Sequence, residues 1–351
     1  MSVPTTPSVN STPASGWRQA APIVTLLLLS PVIAEVLFGS TRITTLFVLV
    51  PQIGAWGCAA LLIRAVVRRR RGSWLSILLL GVALAVAEEC VIQQTSLAPL
   101  VGVDPQHVYG RAGGVNWVYL LWALGYESIW AVVLPIQLTE LLFPARRDEP
   151  WLGRRGLIIA GAVFLPASFV AWYSWTQVFV PQYFPESAHQ VSPAWMAVAL
   201  AAIVGLVIAA LRLPPSRRPE QEGKRPAPRP WQVGLAAFLL ALPWFGLVLL
   251  AYGALPALHP AFPLAAGIVL AGGCFLLIER WSARPAWHDT HRLALVFGAL
   301  LASMLAGSVV LKVGHAVPID RIGQLTFSVI AVLLLIPFAR VVRRRPRGTG
   351  E

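Results

Sequence analysis

Apolar positions run in blocks of about twenty, separated by short polar breaks, and this spacing sets the reading of the whole chain. A helix needs ~20 apolar residues to cross ~30 Å of hydrocarbon. Ten such blocks are predicted to be helices: Ala21–Phe38, Thr45–Val67, Trp74–Thr95, Val115–Phe143, Leu157–Val180, Pro193–Leu211, Trp231–Tyr252, Ala261–Ile278, Leu293–Leu311 and Ile322–Ala339. Strand-like alternation is absent, so the expected fold is an all-α, polytopic transmembrane bundle of about ten spans. Pro31, Pro51, Pro135, Pro166, Pro243 and Pro337 fall inside spans, where each removes a backbone donor and can bend the helix.

Composition agrees. Of 351 residues, 57% are hydrophobic and 12% charged, about half the charge of a soluble domain. The net charge of +13 resembles a nucleic-acid signal until its placement is examined. If both termini are cytoplasmic, 24 of the 28 Lys and Arg residues fall on inner segments, leaving Arg42, Arg111, Lys312 and Arg321 outside. That asymmetry is the positive-inside pattern, and the inner clusters suit anionic lipid headgroups. No nucleic acid is needed to explain it. The preference for Arg over Lys, with abundant Ala, Pro and Gly, points to a GC-rich bacterial genome and hence to a bacterial plasma (inner) membrane.

Residues 1–20 are Ser/Thr/Pro-rich and are expected to form a disordered cytoplasmic tail. Residues 21–211 then form a six-helix bundle, the proline-rich 212–230 segment a flexible linker, 231–340 a four-helix bundle and 341–351 a basic tail. Cys58, Cys90 and Cys274 lie within apolar blocks without CxxC spacing and read as small core residues. The six histidines fall in breaks between blocks; His288 and His291 are three apart but lack a third ligand, and read as solvated. Neither a metal site nor a cofactor is expected. Phosphate-binding and GxSxG motifs are missing.

The candidate chemistry is acidic. Glu35, Glu88, Glu89, Glu127 and Glu140 all fall within the first, third and fourth spans. A charge at the bilayer centre costs ~3 kcal/mol on insertion scales, which makes an intramembrane carboxyl a functional-site hypothesis by default. Glu88, Glu89 and Glu127 are the relay or acid/base candidates. Glu35, Gln93, Asn116, Tyr119 and Tyr126 are candidate binding residues beside them. Glu89 and Gln93, four apart, would share a helix face, and Glu89 is expected to approach Glu127 closely enough to share a proton or a bridging water. Glu140, near Arg146 and Arg147, reads as an interfacial ion-pair partner whose replacement by Gln should be mild.

Three roles fit these carboxyls: hydrogen-bonded struts between helices, a proton relay in a transporter of a small solute, or an acid/base pair for hydrolysis. A membrane scaffold or regulator fits every feature outside the carboxyls. Glu88-Glu89 followed by Gln93 resembles the EExxxR motif of the glutamate-type intramembrane endopeptidase (CPBP) family, which includes prenyl-protein endopeptidases. That resemblance implies a helical bundle with an intramembrane acid/base site. Gln93 stands where the family has arginine, and Glu127 beside Tyr126 stands where later family motifs supply histidines. The segments Ser30–Thr41 and Gly114–Pro135 resemble parts of an uncharacterised bacterial multi-pass membrane family.

Overall fold

In the computed structural model, which describes residues 16–104, 107–183, 191–215 and 226–345, ten apolar helices are long enough to cross a membrane. They are α1 (Gln19–Val36), α2 (Ile43–Arg69), α3 (Trp74–Ile92), α4 (Trp117–Leu142), α5 (Arg154–Gln182), α6 (Pro193–Arg212), α7 (Pro230–Ala251), α8 (Ala261–Ser282), α9 (Asp289–Val313) and α10 (Pro318–Arg344). Each apolar block of the sequence thus becomes one helix. Most ends extend beyond the apolar edge, because a helix satisfies its own backbone whether or not the flanking side chains are apolar. The helix of α1 begins at Gly16, inside the segment expected to be disordered, and α10 runs to Arg344, inside the expected basic tail. The rest of that N-terminal segment, residues 216–225 of the expected linker and the chain beyond 345 lie outside the described residues.

One core joins α1, α4, α7, α9 and α10, so helices from both sides of the 212–230 segment share it. At its centre Trp122, Tyr126 and Trp130 repeat every four residues along one face of α4 and stack, with centroids 4.9 and 5.5 Å apart. A second cluster joins α1 to α5, with Ala210 of α6 at its edge. Close approach depends on glycine where backbones meet. A Cβ on Gly298 of α9 would collide with the Gly234 carbonyl of α7, and one on Gly125 of α4 with the Trp244 indole. By contrast, α6, α8 and α10 keep most of their apolar side chains on the outside of the bundle, as helices facing lipid do.

The helices α1 to α5 each contain a widened turn with i→i+5 hydrogen bonding: Val32–Val36, Ile53–Gly57, Glu88–Ile92, Glu127–Val133 and Tyr173–Phe179. Such π-turns insert a residue, rotate everything beyond them and are common at functional sites. Between α3 and α4 a two-stranded antiparallel hairpin, β1 (Arg111–Ala112) and β2 (Val115–Asn116), closes that end of the bundle.

Candidate functional site

Four of the five carboxyl residues of α1, α3 and α4 sit on the widened turns, Glu140 being the exception. Glu35 lies in the Val32–Val36 turn, Glu88 and Glu89 open the Glu88–Ile92 turn, and Glu127 opens the Glu127–Val133 turn. Glu88, Glu89 and Glu127 are buried; Glu35 is partly buried. Gly81 lets α3 pack directly on the Ser128 backbone of α4. Side chains lean toward the N-terminus of their own helix. On antiparallel α3 and α4, Glu88 and Glu127 therefore lean toward each other, and their carboxyls come within hydrogen-bonding reach.

Trp56, on the widened turn of α2, closes the group. Its Nε1–H donates to Glu88 Oε2 at 2.8 Å and also reaches the Glu127 carboxyl. Oε2 of Glu127 is buried without a donor. A carboxylate left so would be costly, whereas one proton shared between the Glu88 and Glu127 carboxyls is consistent with the geometry. The gap beside Glu88, walled by Ala55, Trp56, Leu84, Ile92 and Phe164, measures about 10 Å³, room for one water at most.

Glu89 points elsewhere. Its Oε2 accepts the Ser96 hydroxyl at 2.8 Å, and its carbonyl accepts the Ser96 N–H at 3.2 Å. Glu88, rather than Glu89, is thus the hydrogen-bonding neighbour of Glu127, and Glu89 acts on that pair through space. Gln93 is not the partner of Glu89: its backbone N–H closes the widened turn on the Glu88 carbonyl at 2.7 Å. Glu35 accepts from Thr41 Oγ1 at 3.3 Å and Gln52 Nε2 at 3.2 Å, and Thr41 and Gln52 also bond each other. Charge interaction links Glu35 to Glu88, Glu89 and Glu127, so one layer holds all four. No Lys, Arg or His is among their partners in the described residues.

The expected binding residues divide. Tyr119 stands within charge-interaction range of Glu88, Glu89 and Glu127, against Trp122 and Tyr252. Tyr126 donates its hydroxyl to the Ala34 carbonyl, tying α4 to the widened turn of α1. Asn116 belongs to the loop instead. Its Nδ2 donates to the carbonyls of Thr95 (3.0 Å) and Ala98 (2.5 Å), and its Oδ1 accepts from Arg111 at 2.7 Å. Arg111 also holds the Leu97 and Ala98 carbonyls, and partial burial pulls its guanidinium below the ordinary value. This knot anchors Ser96, and through it Glu89.

Glu140 lies apart from the layer, at the end of the bundle where the arginines gather. Its partners are Arg64 (3.0 Å), Arg68 (2.7 Å) and Arg292 (3.4 Å), not Arg146 or Arg147. Arg64 is 1% exposed, covers the Trp151 ring and donates to the carbonyls of Arg147 and Glu149. The pair is a buried link between α2 and α4 with α9 attached. His291, expected to be solvated, is buried in the first turn of α9, where it stacks on Trp287 and holds the Pro228 carbonyl at 2.9 Å. Asp320 was also missed: it binds Thr44 at 2.8 Å and fastens α10 to the start of α2. Gln52 and Arg64 were visible as polar residues inside an apolar block; Trp56 carried no such signal. Among the described residues no group of three or more His, Cys, Asp or Glu is arranged to hold a metal ion.

Fold and site together define a multi-pass α-helical membrane protein with a carboxyl layer buried among its first four spans. The chain belongs to the family described as "Uncharacterized membrane protein family", which matches residues 24–343, all ten spans included apart from their outermost ends. No curated protein and no solved structure matches it.

Proposed function

We propose that the protein is a proton-coupled transporter of a small solute, residing in a bacterial plasma membrane with both termini cytoplasmic, and that Glu88 and Glu127 bind and release the coupling proton. The observation that carries this reading is the Glu88–Glu127 contact, two buried carboxyls within hydrogen-bonding reach, one of them with an oxygen lacking any donor. One proton satisfies the pair; removing it leaves like charges facing each other in low dielectric. Such a pair couples protonation to helix separation, the event that alternating access requires. Glu89 and Glu35 lie in the same layer, and Tyr119 borders it.

Hydrolysis by the same pair is the second reading, favoured by the same contact, because two carboxyls sharing a proton serve as acid and base in carboxyl proteases. The small gap beside Glu88 fits a proton or a water better than a peptide, which supports transport over hydrolysis. The test uses purified protein in proteoliposomes loaded with a pH-sensitive dye and challenged with panels of sugars, amino acids and organic cations. We expect at least one solute to shift lumenal pH with wild type and not with Glu127→Gln. Cleavage of a membrane or prenylated peptide without any gradient would favour hydrolysis instead. Equal behaviour of wild type, Glu88→Gln and Glu127→Gln in both assays would defeat both readings.

A further inference from the structure

A second feature lies away from the carboxyl layer. A cavity of about 400 Å³, open to the surroundings of the bundle, lies between α3, α4, α7, α8 and α9, and nearly all of its wall is apolar. Small residues create the space: Ala237 of α7 and Ala271 of α8 face it where larger side chains would fill it. At one end the wall is formed by Trp74, Val233 and Trp281; at the other it reaches Trp244 and Leu270.

Three observations identify the occupant. The first is the medium. The cavity lies between helices long and apolar enough to cross a membrane, so its opening faces hydrocarbon, and a nearly apolar wall offers water too few partners to hold it there. The second is length. From Val233 to Trp244 along α7, and from Leu270 to Trp281 along α8, eleven residues at ~1.5 Å each give about 16 Å. That is half of the ~30 Å hydrocarbon core, the depth of one leaflet. The third is charge. The tryptophan end lies at the basic end of the bundle, where Arg71 precedes Trp74 by three residues and Arg280 and Arg284 bracket Trp281. Among the described residues, no side-chain hydrogen bond or ion pair engages these three arginines. Indoles at an interface beside unpaired guanidinium groups match the glycerol and phosphate level of a lipid.

We propose that this cavity is a binding site for one anionic phospholipid of the leaflet at the basic end, with an acyl chain inserted between α7 and α8 and its phosphate held by Arg280 and Arg284. The proposal stands apart from the carboxyl layer and from any transport activity.

The experiment is native mass spectrometry of the full chain, purified in detergent and incubated with equal amounts of phosphatidylglycerol and phosphatidylcholine of identical acyl chains. Wild type is expected to retain one lipid, with phosphatidylglycerol preferred by about fivefold for each engaged arginine. Ala271→Trp fills the cavity from an exposed position on α8, so folding should survive while lipid retention is lost. Ala237→Trp should act in the same way from α7. Arg280→Gln with Arg284→Gln should keep the retained lipid and abolish the preference. Undiminished retention in a well-folded Ala271→Trp protein, or equal retention of the two lipids by wild type, would overturn the site.

Discussion

Trp56 Nε1 donates a 2.8 Å hydrogen bond to Glu88 Oε2, and this single contact ties the widened turn of α2 to that of α3 at the point where Glu127 also arrives. The indole is the N–H donor that both carboxyls of the pair can reach. Its removal should therefore act on the pair as a unit.

Trp56→Phe keeps most of the packing volume and deletes the N–H. A buried acceptor deprived of its donor costs about 1–3 kcal/mol. A fall of several degrees in the melting temperature of the detergent-solubilised protein is expected, together with weakened proton coupling. In the Glu88→Gln background the same change should cost less, since a neutral amide needs the donor less. Full additivity of the two changes in a double-mutant cycle would show that the bond carries no energy.

Glu127→Gln should leave thermal stability within about 1 kcal/mol of wild type, because the amide can donate to or accept from Glu88 in place of the carboxyl. Infrared difference spectra across a pH titration should lose a protonated-carboxyl band in this variant. Retention of every such band would remove Glu127 from the proton site.

Glu140→Gln is the severe substitution, the reverse of what its place in the sequence suggests. Arg64 is 1% exposed and depends on Glu140 for its charge partner. Breaking a buried ion pair from one side costs about 3–5 kcal/mol. Expression and melting temperature should both drop well below those of Glu127→Gln. Arg64→Met combined with Glu140→Leu should recover part of the loss, since it removes the most deeply buried guanidinium and leaves only Arg68 and Arg292, both partly exposed, without Glu140.

Gly298→Ala should destabilise through steric contact alone. The added methyl meets the Gly234 carbonyl of α7, where two backbones are in contact. Overpacking of this kind costs about 1–3 kcal/mol. Gly272→Ala, where a methyl meets nothing within 4 Å, is the matched control and should be neutral.

The direction of insertion is testable without an activity. Reporter fusions at Gly72, Arg154 and Glu222 should read cytoplasmic, and fusions at Pro105 and Glu186 should read periplasmic. The opposite pattern would reverse the orientation inferred from the arginine distribution.

How far the sequence alone reaches follows from the range of the forces involved. Hydrophobic transfer acts on each block by itself, so the ten helices, their order and the side on which arginines gather could all be read from composition along the chain. The intramembrane carboxyls were legible for the same reason, since cost is set by residue type and depth. Their pairing was not. Ideal helical spacing put Glu89 and Gln93 on one face, but the widened turn at Glu88–Ile92 rotates that register, gives Glu89 to Ser96 and turns Glu88 toward Glu127. Whether a helix accepts such a turn depends on what its neighbours supply to the freed backbone and side chains, here Trp56, Gln52 and Ser30 from other helices. Glu140 shows the same division. Its charge and its need for arginine were evident, but the choice of Arg64 and Arg68 over Arg146 and Arg147 was decided by the packing of α2 on α4. The 400 Å³ cavity had no sequence signature at all, because a void is a property of how five helices fail to fill the space between them.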